Sequence, residues 1–366
     1  MKIYNPFKKA NKPITVAGIF SETEVELANR NSGMPLESLE YDLTPIGQHY
    51  LLTHFDIPHL NRAEHIVSFS GDLANPYSLC YDEIISLPKE TIPVTLECAG
   101  NGRTNIDPRN FSMPWKYGAV GTSEWTGTRL RPLLKEACLN PDVVEVSFTG
   151  ADRGYDSGHE HNFARSLTLA QIEELDVLLV YQMNGIPLLP QHGAPLRIIV
   201  PGWYGMASVK WLTEIKALSK PFDGYQQIGT YRFRQRRDEV GEPITEMRVK
   251  SLMKPPGIPD WTSRKRSVSP GLIPLTGRAW SGGGKKITKV EVLINNKWIE
   301  AKLENQDSKY SWIKWILNWS AKPGHHILSC RATDEMGASQ PENPIFDVGG
   351  FANNSIQEIE VFVSDY

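Results

Sequence analysis

One cysteine stands apart by its surroundings. Cys98 sits in Thr95-Leu96-Glu97-Cys98-Ala99-Gly100-Asn101-Gly102-Arg103, where an apolar run delivers a single thiol into a turn rich in Gly and Asn. Glycines in such a turn let the backbone come close to a bound group. Arg103, five residues further on, adds a fixed positive charge. A thiolate beside a cation or a metal has a lowered pKa and is a good soft-metal ligand. The same nonapeptide also suits a buried structural cysteine. A cysteine hydrolase is a third reading; it needs a positioned His base and an orienting group, and the nine histidines leave it open.

The other cysteines, Cys80, Cys138 and Cys330, form no CxxC, no Cys/His zinc spacing and no CxxCH haem attachment with Cys98 or with each other,. Their wide spacing points to a reducing compartment. The opening MKIYNPFKKANKPITVAG is a short polar tail without the apolar run of a signal peptide, and no stretch approaches the roughly 20 apolar residues of a membrane span,. The expected location is the cytoplasm. A net charge of −3 gives no electrostatic reason to bind nucleic acid or an anionic membrane,. Arg264-Lys265-Arg266 reads as a solvated loop,.

The elements that must position Cys98 divide the 366 residues in two, as expected for a chain longer than one ordinary core. Residues 1–60 look irregular. HIVSFSG (65–71), IPVTLECAG (92–100) and VVEVSFTGA (143–151) read as strands,. SLCYDEIISLP reads as a short helix, and GTRLRPLLKEACL (127–139) carries Leu130, Leu133, Leu134 and Ala137 at helical spacing,. SLTLAQIEEL (166–175) reads as a helix opened by a hydroxyl cap,. Near residue 250 the pattern changes. MKPPGIPDWTSRKRSVSPGLIP resembles a linker or long surface loop, and after it come short strand-like runs separated by Gly, Asn, Asp and Pro,. The expected fold is α+β: a mixed α/β domain over 1–248, then an immunoglobulin-like β-sandwich over 249–366. Trp312, Trp315 and Trp319 suit the sandwich core or a dimer surface,. His159 and His161, in GYDSGHEHNFARS, read as lining a solvent-exposed loop.

The run ECAGNGR resembles the molybdenum-ligating segment of the sulfite-oxidase family. The resemblance continues through GAVGTSEWTGTRLRPLL (118–134), MNGIPLLPQHGAPLRIIVPGWYGMASVKWL (183–212), GRAWSGGGKKITKVEV (277–292) and RATDEMGASQP (331–341), in that order. It implies a molybdenum carried by a single pyranopterin dithiolene, with Cys98 as the protein ligand, and oxygen-atom transfer such as sulfite to sulfate. His192, Arg197 and Lys210 match the family's cofactor-binding positions, with Ser208 and the backbone around Gly205 as additions. His54 matches a histidine beside the pterin. Arg and Lys there suit a phosphate, Arg by its fork and Lys as a point charge.

Arg103 and Trp115 match two positions of the family's oxoanion pocket. Three others depart from the pattern: Leu52 and Lys285 stand where arginines are expected, and Phe163 where a tyrosine is. Hydrogen bonds to charged groups are worth about 1.5–3 kcal/mol each, so the pocket should be more apolar than the family's, and a sulfoxide becomes an alternative substrate. An alternative of another class is a non-catalytic binding module, for which the cluster of Cys98, Arg103, His192, Arg197 and Lys210 would be unnecessary. The resemblance also implies a homodimer through residues 249–366. No flavin or nicotinamide fingerprint is present, since Gly282-Gly283-Gly284 lacks the full spacing,. Electrons would therefore pass to an external carrier such as a cytochrome.

Overall fold

A computed structural model describes residues 20–306 and 308–364; most of the N-terminal tail lies outside the described residues. The first half is built on two sheets. One carries Tyr77–Cys80, Ile66–Gly71, Leu212–Leu218, Glu145–Asp156 and His159–Thr168 in that spatial order. The other runs Glu90–Glu97, Val120–Arg129, Leu178–Met183, Ile186–Pro187, with Arg197–Ile199 paired on Leu178–Met183. The last four residues of Glu90–Glu97 are all buried, as expected of an apolar strand covered on both faces,.

The helices follow their sequence signals. Leu130–Ala137 buries Leu130, Leu133, Leu134 and Ala137 and stops at Cys138, whose φ is 52°. Thr168 caps Leu169–Glu174 by accepting from Gln171 N, while the Gln171 side chain accepts from Thr168 N,. Residues 20–60 are less irregular than expected. Ser21 caps a helix, Glu22–Asn29, through a capping box with Glu24. The GHEH segment is not a loop either: His159–Thr168 pairs with Glu145–Asp156 as a hairpin.

The second half is a β-sandwich. Its four-stranded sheet runs Lys250–Met253, Gly271–Trp280, Ile313–Ala321, Lys302–Leu303. Its six-stranded sheet runs Ile258–Pro259, Arg266–Val268, Gln357–Val363, Gly324–Asp334, Ile287–Ile294, Lys297–Glu300. Leu275, Ala279 and Trp315 from one sheet meet Val292, Leu328 and Val361 from the other in one buried cluster. Each such side chain contributes about 1.5–3 kcal/mol by leaving water. The expected linker thus contributes short strands, Ile258–Pro259 and Arg266–Val268, and the start of Gly271–Trp280. Arg266 and Arg264 both pair with Glu37, and Arg266 is buried rather than solvated. Trp312, Trp315 and Trp319 are all buried, so they serve the core and not an outer surface. The two halves meet over a polar seam, where Arg278 donates to the Leu39 and Glu40 carbonyls and pairs with Asp42.

Candidate active site

Cys98 follows directly on strand Glu90–Glu97, at the point where the strand leaves its sheet. Its N–H donates to the Ala119 carbonyl over 2.8 Å, which ties the turn to the start of the neighbouring strand. The turn closes through Asn101 N to Cys98 O at 2.9 Å, and Gly102 adopts a φ of 88° that only glycine takes without strain,. A Cβ on Gly100 would stand 2.6 Å from the Arg103 guanidinium, so glycine is what lets Arg103 fold back toward the turn. Arg103 is held by two carbonyls, Nε to Gly349 O at 3.0 Å and Nη1 to Met113 O at 2.9 Å. Burial pushes the Cys98 thiol up, opposed by the Arg103 cation and by the Gly100 N–H. Among the described residues no three His, Cys, Asp or Glu side chains gather to bind a metal. A metal at Cys98 would have this one protein ligand and take its others from a cofactor.

Two cavities open on Cys98. The first is lined by His54, His192, Arg197, Ser208 and Lys210 together with Asp152. His192 lies in a turn, Pro190–His192, closed by Gly193 at φ 101°. Arg197 Nη1 donates to His192 O and Nη2 to Ser208 O, each at 2.9 Å, and its guanidinium lies 4.9 Å above the Trp125 ring. Lys210 Nζ donates to Leu52 O at 2.7 Å and Gln191 O at 3.3 Å. Ser208 Oγ is engaged by Val200 N at 3.0 Å. These bonds are all to backbone, so they orient the cations without neutralising them.

Burial first, and then Arg197, press Lys210 down to about 7; burial likewise lowers Arg197 to about 10. Burial, then His49, Arg197 and Lys210, hold His192 down to about 3. Among the described residues Asp152 is the only carboxylate on this wall, and burial lifts it to about 6. Arg197 Nε is buried with no partner among the described residues. Such a cavity calls for an anion that also offers hydrogen-bond acceptors. A pterin bearing a phosphate, with a metal at its dithiolene end beside Cys98, fits this donor set.

The second cavity shares Leu52, His54, Cys98 and Tyr231 with the first and adds Arg103, Trp115, Asp156 and Gln226. One wall is apolar: Leu52 packs with Cys98, Met113, Trp115 and Ala119. His54 Nε2 lies 2.7 Å from the Tyr231 hydroxyl, and the His54 ring stacks on Phe163 at 4.7 Å. Burial, then Lys210, lowers His54 to about 4, so it is neutral.

Comparison with known proteins agrees with this arrangement. The model of the oxidoreductase molybdopterin binding domain matches residues 54–226, and that of the Mo-co oxidoreductase dimerisation domain matches residues 242–364. The chain belongs to the sulfite-oxidase family. It is 30% identical over 361 residues to the mitochondrial sulfite oxidase of Homo sapiens, covering 91% of this chain and 64% of that protein. It is 28% identical over 344 residues to the NADH nitrate reductase of Ulva prolifera, covering 86% of this chain and 40% of that protein. The chain thus spans less than two thirds of the length of these relatives. Among solved structures, the sulfane dehydrogenase SoxCD of Paracoccus pantotrophus superposes with a TM-score of 0.77 at 22% identity, over 95% of this chain and 93% of that one. That likeness confirms the fold.

Against the family pattern, the structure brings Cys98, His54, His192, Arg197, Ser208, Lys210 and Phe163 to the first cavity and Arg103 and Trp115 to the second. Lys285 lines neither. The Ser281–Gly284 turn is bonded to Gly202 and Met247, and Lys285 leaves it toward solvent to pair with Glu246. Lys285 is therefore not a pocket residue in this structure. Several polar residues facing the cavities were not singled out from sequence, Asp152, Asp156, Gln226 and Tyr231 among them. Tyr231 places a hydroxyl on His54, whose ring packs on Phe163, from a segment that no motif marks. Among the described residues no helix is long and apolar enough to cross a membrane.

Proposed function

We propose that this protein is a molybdenum-cofactor oxidoreductase that transfers an oxygen atom to or from sulfur, with sulfite oxidation to sulfate as the first activity to test. Residues 1–248 would hold the cofactor and residues 249–366 would dimerise. The observation that carries the reading is the meeting at Cys98 of two unlike cavities, one lined by unneutralised cations and the other by Arg103 and an apolar wall. When bound, the cofactor supplies the two-electron oxygen-transfer chemistry. Arg197, Lys210 and His192 would hold its phosphate, and Asp152 would offer it a hydrogen-bond acceptor. Arg103 orients the oxygen-bearing end of the substrate. Tyr231 and neutral His54 hold a proton between Oη and Nε2 at the mouth shared by the cavities. Leu52, Met113 and Trp115 exclude water on the other side. A separate one-electron carrier, such as a cytochrome, takes or gives the electrons.

Leu52 favours a second substrate. Where it stands, the pocket has a methyl surface in place of a cation, which suits an organic sulfoxide better than a dianion,. The test of the common reading is metal analysis after expression in a host that makes the cofactor. Stoichiometric molybdenum, and dye-linked turnover of sulfite or a methyl sulfoxide that Cys98→Ala abolishes with the fold intact, are expected. No molybdenum in the purified protein, or full turnover by Cys98→Ala, would overturn it.

A further inference from the structure

The helix Glu22–Asn29 belongs to neither sheet, and no step above uses it. Eight residues do not hold a helix in water unaided, so docking must fix it,. Glu24, Leu27, Ala28 and Asn31 follow at the spacing of one helical face. That face turns inward: Glu24 and Asn31 are buried, while Glu22, Glu26 and Arg30 are exposed. Two segments receive it. Both carboxylate oxygens of Glu24 accept from the Arg109 guanidinium, and the two side chains are 1% and 5% exposed. Asn31 Nδ2 donates to the Leu27 carbonyl at 2.9 Å, and its Oδ1 accepts from Thr53 N at 2.6 Å. Ser32 and Leu51 then exchange two backbone bonds, at 3.1 and 2.8 Å.

Those two segments carry walls of the second cavity. Arg109 leads into Ser112, Met113 and Trp115, and Thr53 stands between Leu52 and His54; apart from Arg109, all of them line it. The helix is thus pinned to both segments and lays Leu27 on the cavity that holds Cys98 and Arg103. Leu27 also packs, with Ala28 and Leu52, on the buried cluster of Cys98, Met113, Trp115 and Ala119. The lining is therefore of two kinds. Arg103 offers donors, whereas Leu27, Leu52 and Met113 offer an apolar surface. A bare oxoanion can use the first and has no carbon to lay on the second. A molecule with a sulfur-bound oxygen and a hydrocarbon arm uses both.

We propose that Leu27 is a specificity-determining residue, and that the helix Glu22–Asn29 completes a pocket for the hydrocarbon arm of an organic sulfoxide. The sulfoxide oxygen faces Arg103, the arm lies on Leu27, Leu52 and Met113, and Leu27 limits its length. The reaction is R₂SO + 2 e⁻ + 2 H⁺ → R₂S + H₂O: the S–O bond breaks, sulfur is reduced, and the oxygen leaves as water. The electrons come from an external one-electron carrier, a reduced viologen dye in the assay. The proposal rests on the oxygen-transfer reading above.

The test uses the molybdenum-loaded protein and methyl sulfoxides whose second arm grows from methyl to hexyl. Sulfite, assayed with an oxidised dye, is the substrate without an arm. In the unaltered protein kcat/KM should climb about 3- to 4-fold per added methylene and stop climbing where the arm meets the helix. Leu27→Ala should move that stop to a longer arm, and Leu27→Trp to a shorter one. The matching sulfones, measured by calorimetry without reductant, should show the same shifts in affinity. Leu27→Ala removes volume and cannot clash, so it carries the test if Leu27→Trp does not fold. In both variants sulfite should lose less than the longest sulfoxide that the unaltered protein uses well. The same stop in all three proteins, or one uniform loss over every substrate including sulfite, would make the helix a structural element only and overturn the proposal. Turnover of sulfite with no sulfoxide used would also overturn it and leave oxygen transfer in place. Absence of turnover with every substrate on protein that holds molybdenum would overturn the parent reading, and this proposal with it.

Discussion

Lys250 donates to Glu97 Oε1 over 2.7 Å, and neither side chain is more than 2% exposed. Glu97 immediately precedes Cys98, whereas Lys250 opens the first strand of the sandwich. The ammonium also reaches the Asn353 carbonyl at 2.8 Å, and Trp280 Nε1 donates to Glu97 Oε2 at 2.9 Å. Asn353 returns a bond to Gly102 O at 2.8 Å, inside the cysteine turn. The second half of the chain thus holds the Cys98 turn directly.

Removing one partner of this pair leaves a buried charge alone, which destabilises by about 3–5 kcal/mol. Lys250→Met should lower stability by that order, measured by denaturant unfolding of the cofactor-free protein. Glu97→Gln combined with Lys250→Met should recover most of the loss, since both charges are gone. If the double variant is no more stable than the single one, the two residues are not coupled as their geometry implies.

The cation cluster predicts a pH dependence for the cofactor-free protein. Lys210 lies at about 7 in the fold against 10.5 ordinarily, so between those values the unfolded chain binds more protons. Stability should rise with pH across that window. The same sign holds on the acid side, where His49 and His54 at about 4 and His192 at about 3 are held below 6.5. Stability should therefore fall as pH drops from 6.5 toward 4. Lys210→Met should flatten the alkaline limb, read from melting temperature against pH. A cofactor phosphate would favour charged Lys210 and flatten the same limb.

Much of this architecture was legible because it rests on local signals. Leu130, Leu133, Leu134 and Ala137 sit at helical spacing and are the face that is buried. Cys98 and its glycines announce a strand end by composition, and the turn is there. Tyr231, Asp152 and Gln226 were not legible, because each reaches the cavities from a segment without a motif and its role comes from tertiary placement. Lys285 shows the reverse: a residue inside a matching motif need not face the site, since Glu246 from a distant segment decides where its side chain goes. The Pro- and charge-rich stretch after Met253 was misread for a related reason. Its short strands, Ile258–Pro259 and Arg266–Val268, exist only because Gln357–Val363, a hundred residues later, pairs with Arg266–Val268.

A homodimer is expected through the sandwich. The outward face of its six-stranded sheet exposes Ile327 and Phe362, at 50% and 40%, on neighbouring strands. Exposed apolar residues grouped on one sheet face suit an isologous contact. Light scattering at micromolar concentration should give twice the chain mass, and Ile327→Glu with Phe362→Glu should shift it toward the monomer. A monomeric unaltered protein would exclude this interface.

Substrate choice should turn on Leu52 rather than on the other two departures from the family pattern. The Leu52 carbonyl is held by Lys210 at 2.7 Å, which fixes the backbone, while its side chain lines both cavities beside Cys98. An arginine there would enter the cavity with nowhere else to go. Its hydrogen bonds to a bound dianion are worth about 1.5–3 kcal/mol each, so Leu52→Arg should lower the KM for sulfite by about 10- to 100-fold. The same cation is unpaired when no anion is present, so the variant should melt earlier in anion-free buffer and recover with sulfate. Phe163→Tyr should add little, because the Tyr231 hydroxyl already stands on His54 next to that ring. Lys285→Arg should change nothing, because residue 285 pairs with Glu246 outside both cavities. A sulfite KM that responds to Lys285→Arg and not to Leu52→Arg would mean that the Ser281–Gly284 turn moves into the pocket in the working enzyme, and the assignment of the second cavity to substrate would have to be redrawn around it.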